Sequence, residues 1–185
     1  MVRIRKKKVT CVVVVDAQDV FFDVVNEDDQ VVGKATRGEV HGNPKLIHRS
    51  SHIFVVNVKG EIFLHQRSER KDLYPGYWNS SASGHLDLGE SYDGAATREL
   101  GEELPNVSSS LKKVGSFKTR DSIESENSML YVARHDGEVQ FNRDEVAGGR
   151  FISVAELRGD IAEGRRKFTP GFLAAFKLYC EAKGV

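Results

Sequence analysis

The sequence predicts an α/β domain in which a mixed β-sheet carries helices on both faces. Short runs rich in Val, Ile and Phe recur along the chain and alternate with three helix-forming segments. No repeat, low-complexity tract or Pro/Gly/Ser-rich linker divides the 185 residues, a length that suits one core.

Taken in order, residues 1–19 read as an N-terminal extension and residues 20–185 as the domain. Arg3-Ile-Arg-Lys-Lys-Lys8 is a solvated basic run. Residues 9–15 are apolar but too few to span a bilayer. They run into Asp16 and Asp19 rather than a cleavage site, so a strand is expected there. Residues 21–25 and 30–33 flank Asn-Glu-Asp-Asp, and residues 53–58 and 61–66 flank Lys59-Gly60; both pairs read as hairpins. A loop rich in charge and glycine follows, through Tyr74-Pro-Gly-Tyr-Trp78. Residues 95–104 are good helix formers without proline. Strands are expected near 114–120, 128–134 and 149–153. Amphipathic helices are expected at 154–163 and 170–182, the second with Pro170 in its first turn.

Basic and acidic residues balance at 27 each, so no global field draws in nucleic acid. Cys11 and Cys180 are the two cysteines, and reduced thiols in a cytoplasmic protein are the simplest reading. A small-molecule ligand is therefore expected rather than nucleic acid or membrane. Whether the chain is a monomer or a homodimer is left open.

Residues 84–103, GHLDLGESYDGAATRELGEE, carry the chemistry. Glu99, Glu102 and Glu103 stand at i, i+3 and i+4, which places three carboxylates on one helical face. Such crowding of like charge calls for a cation, and hard oxygens suit Mg²⁺ or Mn²⁺, which in turn hold phosphates. Written as G-x5-E-x7-R-E-L-x-E-E, the segment resembles the Nudix box of diphosphate hydrolases. Chance would match these fixed positions on the order of 10⁻⁷ of the time per window, whereas a merely solvated acidic helix needs neither Gly84 nor Glu90. Pro105 and Asn106 stand where that box usually closes with glycine and an aliphatic residue, which puts only the exit loop in doubt. The resemblance spans roughly residue 22 to the C-terminus. It implies an α/β/α sandwich, with Gly84, Glu99, Glu102 and Glu103 holding metal.

Further stretches resemble one Nudix branch, which contains the type I isopentenyl-diphosphate isomerases. They are His41-x6-His48, Gln66-Arg67-Ser68 with Lys71 and Tyr74-Pro75-Gly76, residues 79–85, Glu124-Ser125-Glu126, and Phe168-Thr169-Pro170. The resemblance implies a second metal site of His41, His48, His85, Glu124 and Glu126, and diphosphate contacts from Arg67 and Lys71. Three imidazoles would favour Mn²⁺ or Zn²⁺ there, with binding weakening below about pH 6 as they protonate.

Two positions depart from isomerase chemistry. Ser83 stands where that family has a cysteine, and a hydroxyl is far less acidic than a thiol of pKa about 8.5. Arg166 stands where it has a tryptophan, and a cation beside a developing carbocation would repel it. The expected activity is therefore metal-dependent hydrolysis of a nucleoside or prenyl diphosphate. Glu99 or Glu126 would deprotonate the attacking water, and Arg98 would pair with Glu90 in a structural role. The competing readings are an isopentenyl-diphosphate isomerase and a non-catalytic diphosphate-binding domain. The intact acidic triad argues against the last.

Overall fold

A computed structural model describes residues 18–185, so the strand expected at 9–15 and Cys11 lie outside the described residues. Among the described residues nine strands form one mixed sheet. β1 (Phe21–Val25) and β2 (Val31–Thr36) make the first hairpin; β3 (Ile47–Val56) and β4 (Ile62–Arg67) make the second. Two short strands follow, β5 (Trp78–Asn79) and β6 (Ala82–His85), then β7 (Lys112–Arg120), β8 (Ser125–Arg134) and β9 (Val146–Ile152). β3 is the hub. It runs parallel to β8 along its whole length and antiparallel to β6 and β4 in succession.

Helices cover both faces, as expected. On one face Ala96, Leu100 and Leu104 at α2 (Tyr92–Glu103) pack with Ile53, Val55, Phe63 and Tyr131. On the other, α3 (Val154–Glu163) and α4 (Pro170–Lys183) bring Leu157, Phe172, Phe176 and Tyr179 against Phe54, Val56 and Leu130. The two cores follow from the period-2 alternation of β3. Cys180 is buried in the α4 core.

Three local features differ from expectation. β3 begins at Ile47, because the polar stretch Ile-His-Arg-Ser-Ser-His hides a buried strand whose side chains line a site rather than a core. β6 has a weakly β-forming sequence and is imposed by pairing with Ser50–Ile53 of β3. A one-turn helix, α1 (Arg37–Val40), starts from a capping box between Thr36 and Glu39, a Thr-x-x-Glu signal present in the sequence. After α2, Asn106 secures the exit loop: its amide donates to the Glu138 carbonyl at 2.9 Å and its side-chain oxygen accepts from Gln140 N–H at 2.8 Å.

Candidate active site

Register explains the site. Parallel pairing sets His48 opposite Glu126 and Ser50 opposite Ser128; antiparallel pairing sets Ser50 opposite His85, Ser51 opposite Gly84 and His52 opposite Ser83. Directly paired residues share a face. His48, Glu126, Ser83 and His85 thus point to the α4 side, while Gly84 presents its bare backbone to α2.

On the α4 side the five residues of the implied second metal site converge. Ligand atoms of His41, His48, His85 and Glu124 lie within 4.8 Å of one another. Glu126 Oε1 is 3.3 Å from His85 Nε2 and 3.8 Å from His48 Nε2. Both ring nitrogens of His41, Nε2 of His48 and Oε2 of Glu124 are buried without a hydrogen-bond partner. Unpaired buried polar atoms are costly, and a divalent cation would satisfy this set at once. The donors, imidazole and carboxylate, suit a borderline ion.

The protonation pattern corrects one expectation. Burial, reinforced by His85, lowers His41 and His48 to about 3, and His85 is also well below its usual range. These imidazoles are neutral far below pH 6. Burial, then Glu126, raises Glu124 to about 9. In the metal-free state the Glu124 carboxyl therefore holds a proton at neutral pH.

On the α2 side, Arg98 organises the loop and the helix. Its Nε and Nη2 grip both oxygens of Glu90 at 3.1 and 2.8 Å, and Nη2 also donates to the His85 carbonyl at 3.0 Å. Nη1 donates to Glu99 at 2.6 Å and lies 3.5 Å from Glu102. The Arg98–Glu90 pairing is as expected; the reach to Glu99 and Glu102 is additional. Gly84 lets Glu99 come close: a Cβ there would overlap the Glu99 carboxylate and displace it. Glu103 is buried, with His65 Nδ1 3.6 Å from its Oε2, whereas Glu102 is exposed. Burial raises Glu99 to about 7 against the pull of Arg98. It raises Glu103 further above its usual range, with Glu99 adding to the effect.

Two adjoining recesses share Arg37, Arg67, Ser83, Gly84 and His85. The one over α2, about 250 Å³, is lined by Glu99, Glu102 and Glu103 and by Lys71. The one under the histidines is about 70 Å³.

A NUDIX-domain family profile matches residues 46–172. The chain belongs to the Nudix family. It is 32% identical over 159 residues to isopentenyl-diphosphate Delta-isomerase 2 of Photorhabdus laumondii, covering 83% of this chain and 89% of that one. It is 34% identical over 161 residues to an uncharacterized Nudix hydrolase of Streptomyces coelicolor, covering 85% and 87%. The crystal structure of DR0079 from Deinococcus radiodurans superposes with a TM-score of 0.75 at 28% identity, covering 86% of this chain and 99% of that one. The chain is thus an enzyme of the Nudix hydrolase kind, and the Nudix fold carries both recesses.

In this Nudix domain the other expected residues fall as follows. Arg67 and Lys71 reach the cleft, with Lys71 Nζ 3.4 Å from Glu145. Arg166 does not line the small recess. It lies 5.4 Å over the Trp78 ring and pairs with Asp160 and Glu156, so the expected repulsion of a carbocation by its charge does not arise. What the position lacks is the aromatic face.

Sequence reading passed over Arg37, Glu145 and His65. Arg37 sits between the recesses, 3.1 Å from His85 Nδ1 and paired with Asp72 at 3.2 Å. Glu145 faces the acids from the loop before β9. The Thr36–Glu39 capping box was a usable signal for Arg37; Glu145 and His65 had none.

Proposed function

We propose that this enzyme hydrolyses the P–O–P bond of a nucleoside or prenyl diphosphate with Mg²⁺ or Mn²⁺. The observation that carries the reading is the shared cleft. Three carboxylates line one side with Lys71, a histidine–carboxylate cluster adjoins the other, and Arg37 and Arg67 stand between them. Glu99, Glu102, Glu103 and the Gly84 carbonyl would hold metal over α2; His41, His48, His85, Glu124 and Glu126 would hold it on the far side of β6. Bound metal supplies phosphoryl polarisation and a more acidic water.

The chain's own groups do the rest. Arg67 and Lys71, with Arg37, neutralise the diphosphate oxygens. Glu99, set against Gly84 and steadied by Arg98, takes the proton of the attacking water; Glu126 is the alternative base from the neighbouring recess. Arg98 clamps the Gly84–Glu90 loop to α2 and so fixes the distance between carbonyl and carboxylates. Residues 20–185 would act as one catalytic unit.

A panel of diphosphates incubated with Mg²⁺ or Mn²⁺, with products read by mass, tests this. Metal-dependent P–O–P cleavage is expected, rising toward alkaline pH; equal turnover in chelator with metal shown absent would defeat it. Isomerisation is the second reading, favoured by the five-residue cluster and the isomerase relatives. Ser83 argues against it: its hydroxyl accepts from Asn79 at 2.8 Å, and among the described residues no thiol lines the recess to protonate carbon. Isopentenyl diphosphate should yield no dimethylallyl isomer above a Glu103→Gln control.

A further inference from the structure

The small recess under the histidine cluster is built of hydrogen-bonding groups. Ser50, His52, Asn79, Ser83 and Thr169 line it, with Tyr74 at its side. Arg37, Arg67, His85, Glu124 and Glu126 border it as well, and Leu73, Gly171 and the carbon of the Tyr74 and histidine rings give its walls at least as much apolar as polar surface, so the polar groups act as a few fixed anchors. Trp78 and Arg166 are not part of the lining.

These groups are held in place by a relay that begins at α4. The Phe172 N–H donates to Thr169 Oγ1 at 3.2 Å, Thr169 Oγ1 donates to Asn79 Oδ1 at 2.8 Å, and Asn79 Nδ2 donates to Ser83 Oγ at 2.8 Å. Ser83 accepts in that chain, so its own O–H remains to be donated to a ligand. His52 is fixed through Nδ1, 2.8 Å from Ser80 Oγ, which leaves Nε2 for the recess. Gly171 keeps that nitrogen accessible: a Cβ there would lie 3.0 Å from Nε2 and 2.8 Å from Cε1.

We propose that this recess seats the group esterified to the diphosphate, and that the group is a hydroxylated, sugar- or polyol-type moiety rather than a prenyl chain. The inference rests on the cleft binding a diphosphate, as proposed above. Arg37 and Arg67 border both recesses, so phosphates held between them place the esterified group against Ser83 and His52. An alkyl chain there would strip water from the Ser83 hydroxyl and the His52 nitrogen and return no hydrogen bond. A hydroxyl restores both. A site built to bond a hydroxyl rejects the analogue that lacks it far more strongly than an apolar pocket rejects an extra methylene.

The test reads binding, by titration calorimetry on the Mn²⁺-loaded protein. The probes are methylenediphosphonate esters of erythritol and of isopentenol, whose P–C–P bridge resists hydrolysis, with unesterified methylenediphosphonate as baseline. The erythritol ester should bind about tenfold tighter than the isopentenyl ester, or more. Ser83→Ala should remove most of that preference, bringing the affinities of the two esters together. Gly171→Ala, which sets a methyl against His52, should bring the erythritol ester down to the baseline. Equal or tighter binding of the isopentenyl ester overturns the inference. So does an erythritol ester no better than bare methylenediphosphonate, or a preference insensitive to both variants. P–O–P hydrolysis is measured separately. A protein that prefers the polyol ester but cleaves no diphosphate would sink the proposed reaction and leave the recess assignment standing.

Discussion

The two clusters of acids stand on opposite sides of the same short strand and are built in opposite ways. The α2 carboxylates come from five consecutive residues and span a range of burial, from exposed Glu102 to buried Glu103. They carry their own counter-ion in Arg98, which touches Glu99 and lies near Glu102. The histidine–carboxylate cluster draws on four separate segments, α1's end, β3, β6 and the start of β8, and no arginine pairs with its carboxylates in the contacts described. Without metal its charge is reduced by proton placement: imidazoles uncharged and Glu124 protonated at neutral pH. A local motif can afford an internal cation because helix geometry supplies one. The convergent site is balanced by proton placement and by the nearby charges of Arg37 and Arg67 rather than by a cation on its own segment.

Breaking the helical side should have the largest effect. Glu103→Gln and Glu102→Gln are each expected to lower kcat by about 10²–10⁴-fold, the range for groups that move protons or stabilise developing charge. Without metal, Glu103→Gln should leave the melting temperature unchanged or higher, because the buried acid is already pushed toward its neutral form. Near-normal kcat in both variants would mean that the acids are not used, and would revive the binding-domain reading.

On the convergent side, a His41→Ala, His48→Ala double variant should lose one bound divalent ion per chain, measured by elemental analysis after equilibration with Mn²⁺. The ion held over α2 should remain. Unchanged stoichiometry would show that the cluster holds no metal, and loss of both ions would show that the two regions are one site.

Arg98→Ala sharpens the contrast, because it removes the counter-ion that the helix itself supplies. Losing the two-pronged grip on Glu90 and the bond to the His85 carbonyl should cost about 1–3 kcal/mol of stability. Denaturant unfolding reads this directly. A cost near zero would mean that α2 is placed by its apolar face alone.

The smallest effect is a pH trend. Glu99 and Glu124 have folded-state values raised to about 7 and about 9. A raised carboxyl contributes stability that is present below its unfolded value and lost as pH climbs through the folded one. The depressed histidines act the other way, but only below their unfolded value of about 6.5. The share of Glu99 is lost by about pH 7, so from about pH 7 to 9 Glu124 carries the decline and the metal-free protein should lose a few degrees of melting temperature. Saturating Mn²⁺ should abolish the decline. A metal-free melting temperature that rises over this window would contradict the proton placement.

Helix and hairpin positions were legible because each is a local pattern: alternation for the hairpins, a 3.6-residue face and caps for α2, α3 and α4. The elements that escaped lie at the site. The first half of β3 reads as polar because its side chains point at ligands, and β6 exists only because β3 holds it. Glu145 carries no motif, and the Thr36–Glu39 capping box marks a helix start at Arg37 without telling which way its side chain faces.

By itself the sequence determined the acidic helical face, the fold class and the family, since all three rest on spacings within one segment or on a likeness along the chain. It also named the five residues of the second cluster, though only through resemblance. The tertiary structure alone decided that they meet, through the parallel register of β3 with β8 and the antiparallel register with β6. It also turned Arg166 away from the small recess and aimed the Ser83 hydroxyl into it, because where a side chain points is settled by its neighbours across the sheet, not by its neighbours along the chain.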